Sequence, residues 1–394
     1  MPKIHLIPIR SAITGTDPSI RDEISAFLKE IDPMGALDFS ETGKGMPVYF
    51  VLSGGSEPYF KDIYEYQKGP FFLLPIGSRN SFAASLEILS FLKRRNQKAI
   101  LLYDLDKKRI GQELLEYAKA YEALKSCKGM RLGLIGGPSD WLIDSQSEPK
   151  KIKEKLGINL IQVPMKELKD FTDRHEILDE KAYQEMRRIT RRDEALRGSF
   201  YIYSAILEVC KKRKLEGFTL RCFDLLNAYQ NTSCLAFGFL NDQGILAGCE
   251  GDVPSLLTMA LLKKLTGQAS FMANPEVIDI EGKKALYAHC TCPFSMLESY
   301  RLMTHFESGT GFGIRGKFSL KDVTMVKLDA SLDRLLVKKG KIVENQERDD
   351  ICRSQILVQF EDDIDELLQD PIGNHMLFIY GDHQKELEAL RLFL

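Results

Sequence analysis

Residues 245–274 read ILAGCEGDVPSLLTMALLKKLTGQASFMAN. The apolar residues 245–247 predict a short buried strand. Asp252 is a residue type that caps helices, Pro254 suits a first helical turn, and Gly267 suits a helix end. The stretch therefore predicts a strand, a tight turn and an apolar helix, which is the repeating unit of a parallel α/β sheet.

Glu250 lies in the predicted turn, after the strand and just ahead of the helix N-terminus. In α/β folds, binding sites usually form at the carboxyl ends of the strands. On spacing alone, a structural carboxylate that caps a helix or forms a salt bridge explains Glu250 equally well. Glu250 is therefore a candidate catalytic residue whose role the local pattern leaves open.

The regions that precede this stretch repeat the α/β pattern. Residues 4–9, 48–52, 71–76 and 99–103 predict strands, and residues 20–30, 58–67, 81–94 and 111–124 predict helices. Residues 130–135 and 158–163 predict further strands. Alternating strands and helices of this kind indicate parallel sheets. We therefore expect two doubly wound, Rossmann-like α/β domains, at residues 1–127 and 128–274, the second of which carries Glu250.

The sequence changes character after Asn274. Short β-type runs separated by turns occupy most of residues 276–343, and a convincing helix returns only at residues 364–368. Such spacing is typical of an antiparallel barrel or sandwich. We therefore expect a third, β-rich and barrel-like domain at residues 275–394, which ends in a helix at residues 385–394.

Composition excludes several classes of partner. The chain has 394 residues, with 54 lysines and arginines against 56 aspartates and glutamates and a net charge of −2. This balance predicts no electrostatic binding of nucleic acid or of an anionic membrane. Neither a signal-peptide pattern nor an apolar window long enough to span a bilayer occurs in the sequence. We therefore expect a cytoplasmic protein with a small-molecule partner.

Common cofactor motifs are missing from the sequence. It contains neither a P-loop nor a G-x-G-x-x-G dinucleotide fingerprint, which argues against a dehydrogenase. Residues 53–57, SGGSE, follow a predicted strand and suit either an anion or sugar hydroxyl or a plain strand-to-helix turn. Eight scattered cysteines predict reduced thiols in the core, while a nucleophile at Cys249 or Cys290 is an alternative.

Several short motifs together resemble one family of enzymes. CEGD at 249–252 and FMAN at 271–274 are similar to segments of the L-fucose isomerase and L-arabinose isomerase superfamily, in particular its fucose isomerase-related members. GLIGGPSDWL at 133–142, the segment from Gly316 to Thr324 and GNH at 373–375 agree with the same relatives. The resemblance covers roughly residues 130 to 390, in the family's order and spacing.

The resemblance implies a metal-dependent aldose–ketose isomerase that acts on a sugar through an ene-diol intermediate. Glu250 would be both a metal ligand and the base, His375 and His289 would be further ligands, and Mn²⁺ or another divalent cation would be the cofactor. A homo-oligomer, trimer or hexamer, is also implied. Four residues are candidates for substrate binding: Ser139, Asp140, Trp141 and His305.

The sequence departs from the family at Asn274, which stands where the second catalytic carboxylate is expected. An amide oxygen binds metal but does not exchange protons as a carboxylate does. Glu276, Asp279 and Asp252 are possible replacements. The departure keeps two alternatives open, namely another carbonyl-sugar reaction such as C–C cleavage or epimerisation, and a non-catalytic sugar-binding protein. The polar loop around His305 and Glu307 has either a functional or a structural role.

Overall fold

The computed structural model describes residues 1–12, 19–65 and 69–394. It divides into two compact units, one formed by Met1–Ala123 with Lys385–Phe393 and the other by Leu124–Gln384 with Leu394. The second unit contains both an α/β sheet and a β-barrel. The finer division into domains at residues 1–127, 128–274 and 275–394 stays a prediction.

The first unit is built on a five-stranded parallel sheet in the order β2-β1-β3-β4-β5. Its strands are β1 (Lys3–Ile9), β2 (Asp38–Ser40), β3 (Met46–Val51), β4 (Phe71–Pro75) and β5 (Ala99–Leu101), with helices α1 (Ile20–Ile31), α2 (Glu57–Tyr64), α3 (Ser81–Lys93) and α4 (Lys107–Ser126). β4 is fully buried because its apolar residues face helices on both sides of the sheet. The last residues of the predicted helix at 58–67 lie outside the described residues.

A four-stranded parallel sheet in the order β7-β6-β8-β9 forms the α/β part of the second unit. Its strands are β6 (Arg131–Ile135), β7 (Asn159–Val163), β8 (Gly217–Leu220) and β9 (Leu246–Cys249), with helices α5 (Pro149–Leu156), α6 (Met165–Thr172), α7 (Glu180–Arg187), α8 (Asp193–Arg213), α9 (Phe223–Tyr229), α10 (Cys234–Asp242) and α11 (Val253–Thr266). The sequence pattern predicts a strand at residues 218–223, but β8 ends at Leu220 and Phe223 begins α9.

A closed antiparallel barrel in the order β10-β11-β16-β15-β14-β17 follows, as the turn-separated β runs predict. Its strands are β10 (Phe271–Asp279), β11 (Lys284–His289), β14 (Asp322–Leu328), β15 (Leu335–Asn345), β16 (Ser354–Phe360) and β17 (Met376–Tyr380), and a separate ribbon pairs β12 (Leu297–Met303) with β13 (Gly313–Phe318). The short helix α12 (Glu366–Gln369) precedes β17, and the chain ends with α13 (Gln384–Arg391). The predicted combination of parallel α/β sheets and an antiparallel barrel is confirmed.

Aromatic and branched side chains fill the barrel, and Phe271, Tyr287 and Phe378 are fully buried there. The sequence pattern also predicts a β run at residues 304–306, which was wrong because these residues lie in a loop, and it misses β12 and β16. β12 alternates polar and apolar residues, with only partial burial on its inner side, so its apolar signal is weak. Among the described helices, none combines the length and apolarity needed to cross a membrane.

Candidate active site

The turn after β9 has an unusual backbone. Glu250 lies in the left-handed region with φ +62°, which is uncommon for a residue with a side chain, and Gly251 follows with φ +77°. A Cβ atom on Gly251 would lie 2.5 Å from the Gly137 carbonyl oxygen, so only glycine fits there. The Ser139 amide donates to the Glu250 carbonyl oxygen at 2.9 Å. Two strand-end loops thus hold Glu250 in one conformation, and such strain is concentrated at functional sites.

The two carboxylate oxygens of Glu250 have different surroundings. The indole N–H of Trp141 donates to Oε2 at 2.7 Å, and Oε1 lies 3.8 Å from Nε2 of His375. The Glu250 side chain is 13% exposed, whereas the Trp141 residue is 51% exposed. The carboxylate is therefore close to solvent but fixed in direction, with one oxygen held by the indole and the other facing an imidazole.

Asp252 fixes the orientation of His375. As predicted from the sequence, Asp252 caps α11, and its Oδ1 accepts from the Ser255 amide at 2.8 Å. Its Oδ2 lies 2.9 Å from Nδ1 of His375 and 3.2 Å from Nζ of Lys327, and all three side chains are buried. Burial alone would raise the pKa of Asp252, but Lys327 and then His375 lower it below its usual range.

An ionised Asp252 only accepts hydrogen bonds, so Nδ1 of His375 must carry the proton and donate it. With the proton on Nδ1, the neutral form of the ring presents a lone pair at Nε2. This atom is buried and has no hydrogen-bond partner among the residues that the structure describes. Metal-binding histidines typically have this arrangement, in which a carboxylate holds one ring nitrogen and the other faces the ion.

His289 brings a second imidazole to the same place. It ends β11, while His375 immediately precedes β17, and both strands pair with β10. The two rings are 5.6 Å apart between centroids. Burial, then the charges of His375 and His305, lower the pKa of His289 to about 3, so the ring is neutral at physiological pH. Ligand atoms of Cys249, Glu250 and His289 all lie within 4.8 Å of one another.

The Glu250 carboxylate, the neutral His289 ring and the unbonded Nε2 of His375 suit a divalent cation. Zinc and other first-row metals take nitrogen, oxygen and sulfur ligands at about 2.0–2.3 Å, so neighbouring ligand atoms stand roughly 3.5 Å apart. The separation of 3.8 Å between Glu250 Oε1 and His375 Nε2 is close to this spacing. The residues present therefore fit a metal ion.

Three other predicted site residues, Asn274, Ser139 and Asp140, differ in burial and in their hydrogen-bond partners. Asn274 lies on β10 and accepts a hydrogen bond from Asn374 at 3.3 Å, next to His375. Ser139 is buried, and its hydroxyl has no partner within the described part of the chain. Asp140 is exposed and forms a two-point ion pair with Arg221 at 2.8 and 2.6 Å.

His305 and Trp141 are connected through one aromatic residue. The Phe223 ring lies 5.0 Å from the Trp141 ring and 5.9 Å from the His305 ring, between centroids. Burial, then the negative charge of Glu250, raise the pKa of Glu307, which lies on the same loop as His305. The loop at residues 304–311 therefore belongs to the surroundings of Glu250, and these contacts favour a functional role for it.

Sequence reasoning missed two participants. Lys327 was not singled out, although its apolar neighbours Met325, Val326 and Leu328 were a signal that a lysine there would be buried and would need a partner. Cys249 was considered as a nucleophile but not as a metal ligand. Its Sγ lies 3.3 Å from Sγ of Cys222, and this contact, together with burial, raises the pKa of the Cys249 thiol.

No family model matches the chain. The chain is similar to proteins named sulfoquinovose isomerase. The protein from Priestia aryabhattai is 23% identical over 300 residues, which cover 72% of this chain and 67% of the relative. The protein from Alkalicoccus urumqiensis is 21% identical over 304 residues, or 73% and 69%. The protein from Clostridium sp. (strain MSTE9) is 26% identical over 205 residues, or 48% and 45%. These relatives support the prediction of an isomerase that acts on a sugar.

Proposed function

We propose that the chain is a metal-dependent aldose–ketose isomerase that converts its sugar through an ene-diol intermediate. One observation carries the proposal. The buried Nε2 of His375 has no partner among the described residues, faces the Glu250 carboxylate at 3.8 Å, and is oriented through Nδ1 by Asp252. A buried imidazole nitrogen without a hydrogen bond is costly unless it binds something. A divalent cation is the ligand that suits both neighbours.

Glu250, His375 and His289 would hold the ion, Mn²⁺ or another divalent cation. When bound, such an ion stabilises negative charge on the sugar oxygens next to the carbon that loses its proton. Glu250 is the base of the proposal, because its carboxylate is partly exposed and held in place by Trp141. The reaction moves a proton between adjacent carbons, so it requires a correctly placed base and no covalent bond between enzyme and sugar.

Glu307 is the best candidate for the second proton-transfer group. Asn274 occupies the position where the resemblance expects a carboxylate, and an amide does not exchange protons. Burial and then the negative charge of Glu250 raise the pKa of Glu307, which suits this carboxyl group to donate a proton. In this proposal Glu250 takes the proton and Glu307 protonates the neighbouring oxygen.

The names of the relatives suggest the first substrate to test. They are called sulfoquinovose isomerase, and their similarity covers 72% and 73% of this chain. We therefore propose a sulfonated hexose as the substrate class, with the homo-oligomeric assembly and cytoplasmic location expected from the sequence. Isomerases of this type take the sugar in its open-chain form, so the exposed Trp141 face would pack against the sugar's carbon backbone.

Asn274 favours one second candidate function. Without a carboxylate at that position, the same base and ion would suit epimerisation at the carbon next to the carbonyl group. Epimerisation also passes through an ene-diol, but a second group, here Glu307, would protonate the same carbon from the other face while Glu250 keeps the proton that it removed. The two reactions differ in their products, since an isomerase gives a ketose and an epimerase gives a second aldose.

The first experiment compares metal content and turnover in wild type, Glu250→Gln and the exposed control Glu281→Gln. We expect about one divalent ion per chain in wild type and in the control, and a loss of most of it in Glu250→Gln. Sulfoquinovose incubated in D₂O should give a ketose that carries solvent deuterium, as proton exchange through an ene-diol requires. Wild-type protein that binds no divalent cation after Mn²⁺ addition would refute the proposal.

A further inference from the structure

Cys249 stands out among the groups around Glu250 that the proposed mechanism leaves unused. Its sulfur, a Glu250 carboxylate oxygen and a His289 ring nitrogen all lie within 4.8 Å of one another. Cys249 and Glu250 are neighbours in sequence, and side chains of adjacent strand residues normally point to opposite faces. The left-handed backbone at Glu250 removes this separation and brings both side chains to the same place.

We propose that the Cys249 thiolate is a ligand of the metal ion, and that the site consequently prefers a thiophilic cation such as Zn²⁺ to Mn²⁺. This inference rests on the metal site of the proposed function and deepens it. The ligand set would be Cys249, Glu250 and His289, whose ligand atoms lie within 4.8 Å of one another, joined by His375, whose Nε2 is 3.8 Å from Glu250 Oε1. Thiolate and imidazole ligands together favour Zn²⁺, whereas Mn²⁺ prefers carboxylate, carbonyl and water oxygens.

The charge of the site supports a thiolate ligand. Glu250 supplies one negative charge, and Asn274 supplies none. The two imidazoles are neutral when they bind a metal. A second negative charge from Cys249 would balance a divalent cation in a buried place, where an uncompensated charge is costly. Binding breaks the S–H bond of Cys249, forms a sulfur–metal bond and releases the proton to solvent.

Cys222 provides the matched control. Its Sγ is 3.3 Å from Sγ of Cys249, so it shares the surroundings of that thiol. Cys222 lies outside the group formed by Cys249, Glu250 and His289; His375 lies outside it too, but its Nε2 is 3.8 Å from Glu250 Oε1. The Cys222 thiol would donate a hydrogen bond to the bound Cys249 sulfur and would not itself contact the ion. Replacing Cys222 should therefore leave a sulfur–metal bond in place.

The test is a Co²⁺ titration of the chelator-treated full-length protein, followed by absorption spectroscopy and metal analysis. Co²⁺ bound to a thiolate gives an intense sulfur-to-metal charge-transfer band in the near ultraviolet, which oxygen and nitrogen ligands do not give. We expect this band in wild type and in Cys222→Ser, and its loss in Cys249→Ser. The preference for Zn²⁺ over Mn²⁺ should also fall by at least about tenfold in Cys249→Ser. Removing a residue that binds the metal should have a larger effect than removing one that only hydrogen-bonds to a ligand.

The possible failures are distinguishable. If Co²⁺ binding depends on Glu250 but no variant shows the charge-transfer band, Cys249 is not a ligand and the proposed function still stands. A band that disappears in Cys222→Ser and persists in Cys249→Ser would also overturn the Cys249 ligand. Absence of any bound divalent cation would remove both proposals. If Cys249→Ser does not fold, X-ray absorption of the Zn²⁺-loaded wild type shows whether sulfur binds the metal. A Zn–S distance of about 2.3 Å is expected, and its absence would overturn the thiolate ligand.

Discussion

Each of the two parallel sheets has a glycine-containing turn after one of its strands. The polar atoms at the first turn are hydrogen-bonded to one another, whereas the second turn faces a buried nitrogen that has no partner among the described residues. After β3, Ser56 donates through its hydroxyl to the Ser53 carbonyl oxygen at 2.6 Å, and Ser53 Oγ accepts from the Ser11 amide at 3.0 Å. After β9, Glu250 is held in a left-handed conformation and faces the buried, unpartnered Nε2 of His375, in the part of the chain that the structure describes.

The difference teaches that the α/β architecture alone does not locate a site. Both turns lie at carboxyl ends of parallel strands, where sites usually form. In the first turn the polar atoms named above bond to one another, which is the behaviour of a structural turn. In the second turn, strain and an unbonded buried nitrogen remain, and these costs are retained where a ligand compensates for them. The SGGSE turn at residues 53–57 is therefore best explained as a strand-to-helix connection.

Asp252→Asn is expected to have the largest effect on the second sheet. Asparagine keeps the cap of α11 but removes the charge that pairs with the buried Lys327. Leaving one member of a buried ion pair without its partner should lower the free energy of unfolding by about 3–5 kcal/mol. Losing the carboxylate that orients His375 should also weaken metal binding by about 10- to 100-fold. Denaturant unfolding and metal titration measure the two effects.

A second substitution separates these two effects. Asp252→Asn combined with Lys327→Met removes both charges, so most of the lost stability should return. Metal affinity should stay low, because His375 still lacks its orienting carboxylate. A single variant as stable as wild type would contradict the role of the buried pair, and recovery of metal affinity in the double variant would contradict the role of Asp252 in orienting His375.

Gly251→Ala and Gly55→Ala compare the two turns directly. Both glycines have positive φ, +77° and +70°, so alanine costs roughly 1 kcal/mol at either position. The space around them differs, because a Cβ on Gly251 would lie 2.5 Å from the Gly137 carbonyl oxygen, whereas the nearest atom to a Cβ on Gly55 is 3.9 Å away. We expect Gly251→Ala to cost about 2–4 kcal/mol in total. If thermal or denaturant unfolding shows the same loss of stability in both variants, the cost of alanine comes from the backbone conformation alone.

Trp141→Phe tests whether the indole N–H directs the Glu250 carboxylate. Phenylalanine retains an aromatic ring against Phe223 but loses the hydrogen bond of 2.7 Å to Oε2. A hydrogen bond to a charged group contributes about 1.5–3 kcal/mol, so kcat/KM should fall by roughly tenfold or more. Metal content should be unchanged, because Oε1 and both histidines remain. Unchanged kcat/KM would mean that Glu250 is oriented by its backbone alone.

The local parts of the site were predictable from the sequence. Asp252, Pro254 and Gly267 predict the start and end of α11, and the structure has the cap, the first-turn proline and the final left-handed glycine where they were expected. Glu250 follows a short apolar strand in the structure as in the prediction. These features depend on residues close together in sequence, where propensity and hydrogen bonding act directly.

The long-range parts were not predictable in the same way. Asp252 meets Lys327 and His375, which lie 75 and 123 residues further along the chain. Those contacts depend on the register of β14 and β17 in the barrel, and a shift of one residue would turn each side chain to the opposite face. No local pattern encodes that register. The resemblance to an isomerase family indicated His375, but it gave no indication of Lys327.

Ser139→Ala and Ser56→Ala provide the smallest test of the contrast, since Ser139 lies in the loop after β6 that contacts the Glu250 turn and Ser56 lies in the turn after β3. Ser139 Oγ is buried and has no hydrogen-bond partner within the described residues, so its removal should leave stability unchanged or raise it by up to about 1 kcal/mol. Ser56 Oγ donates to Ser53, so its removal should cost about 1 kcal/mol. Chemical denaturation of both variants against wild type measures the difference. If Ser139→Ala is destabilised as much as Ser56→Ala, its hydroxyl is already bonded in the free protein, and it is not a group kept available for the sugar.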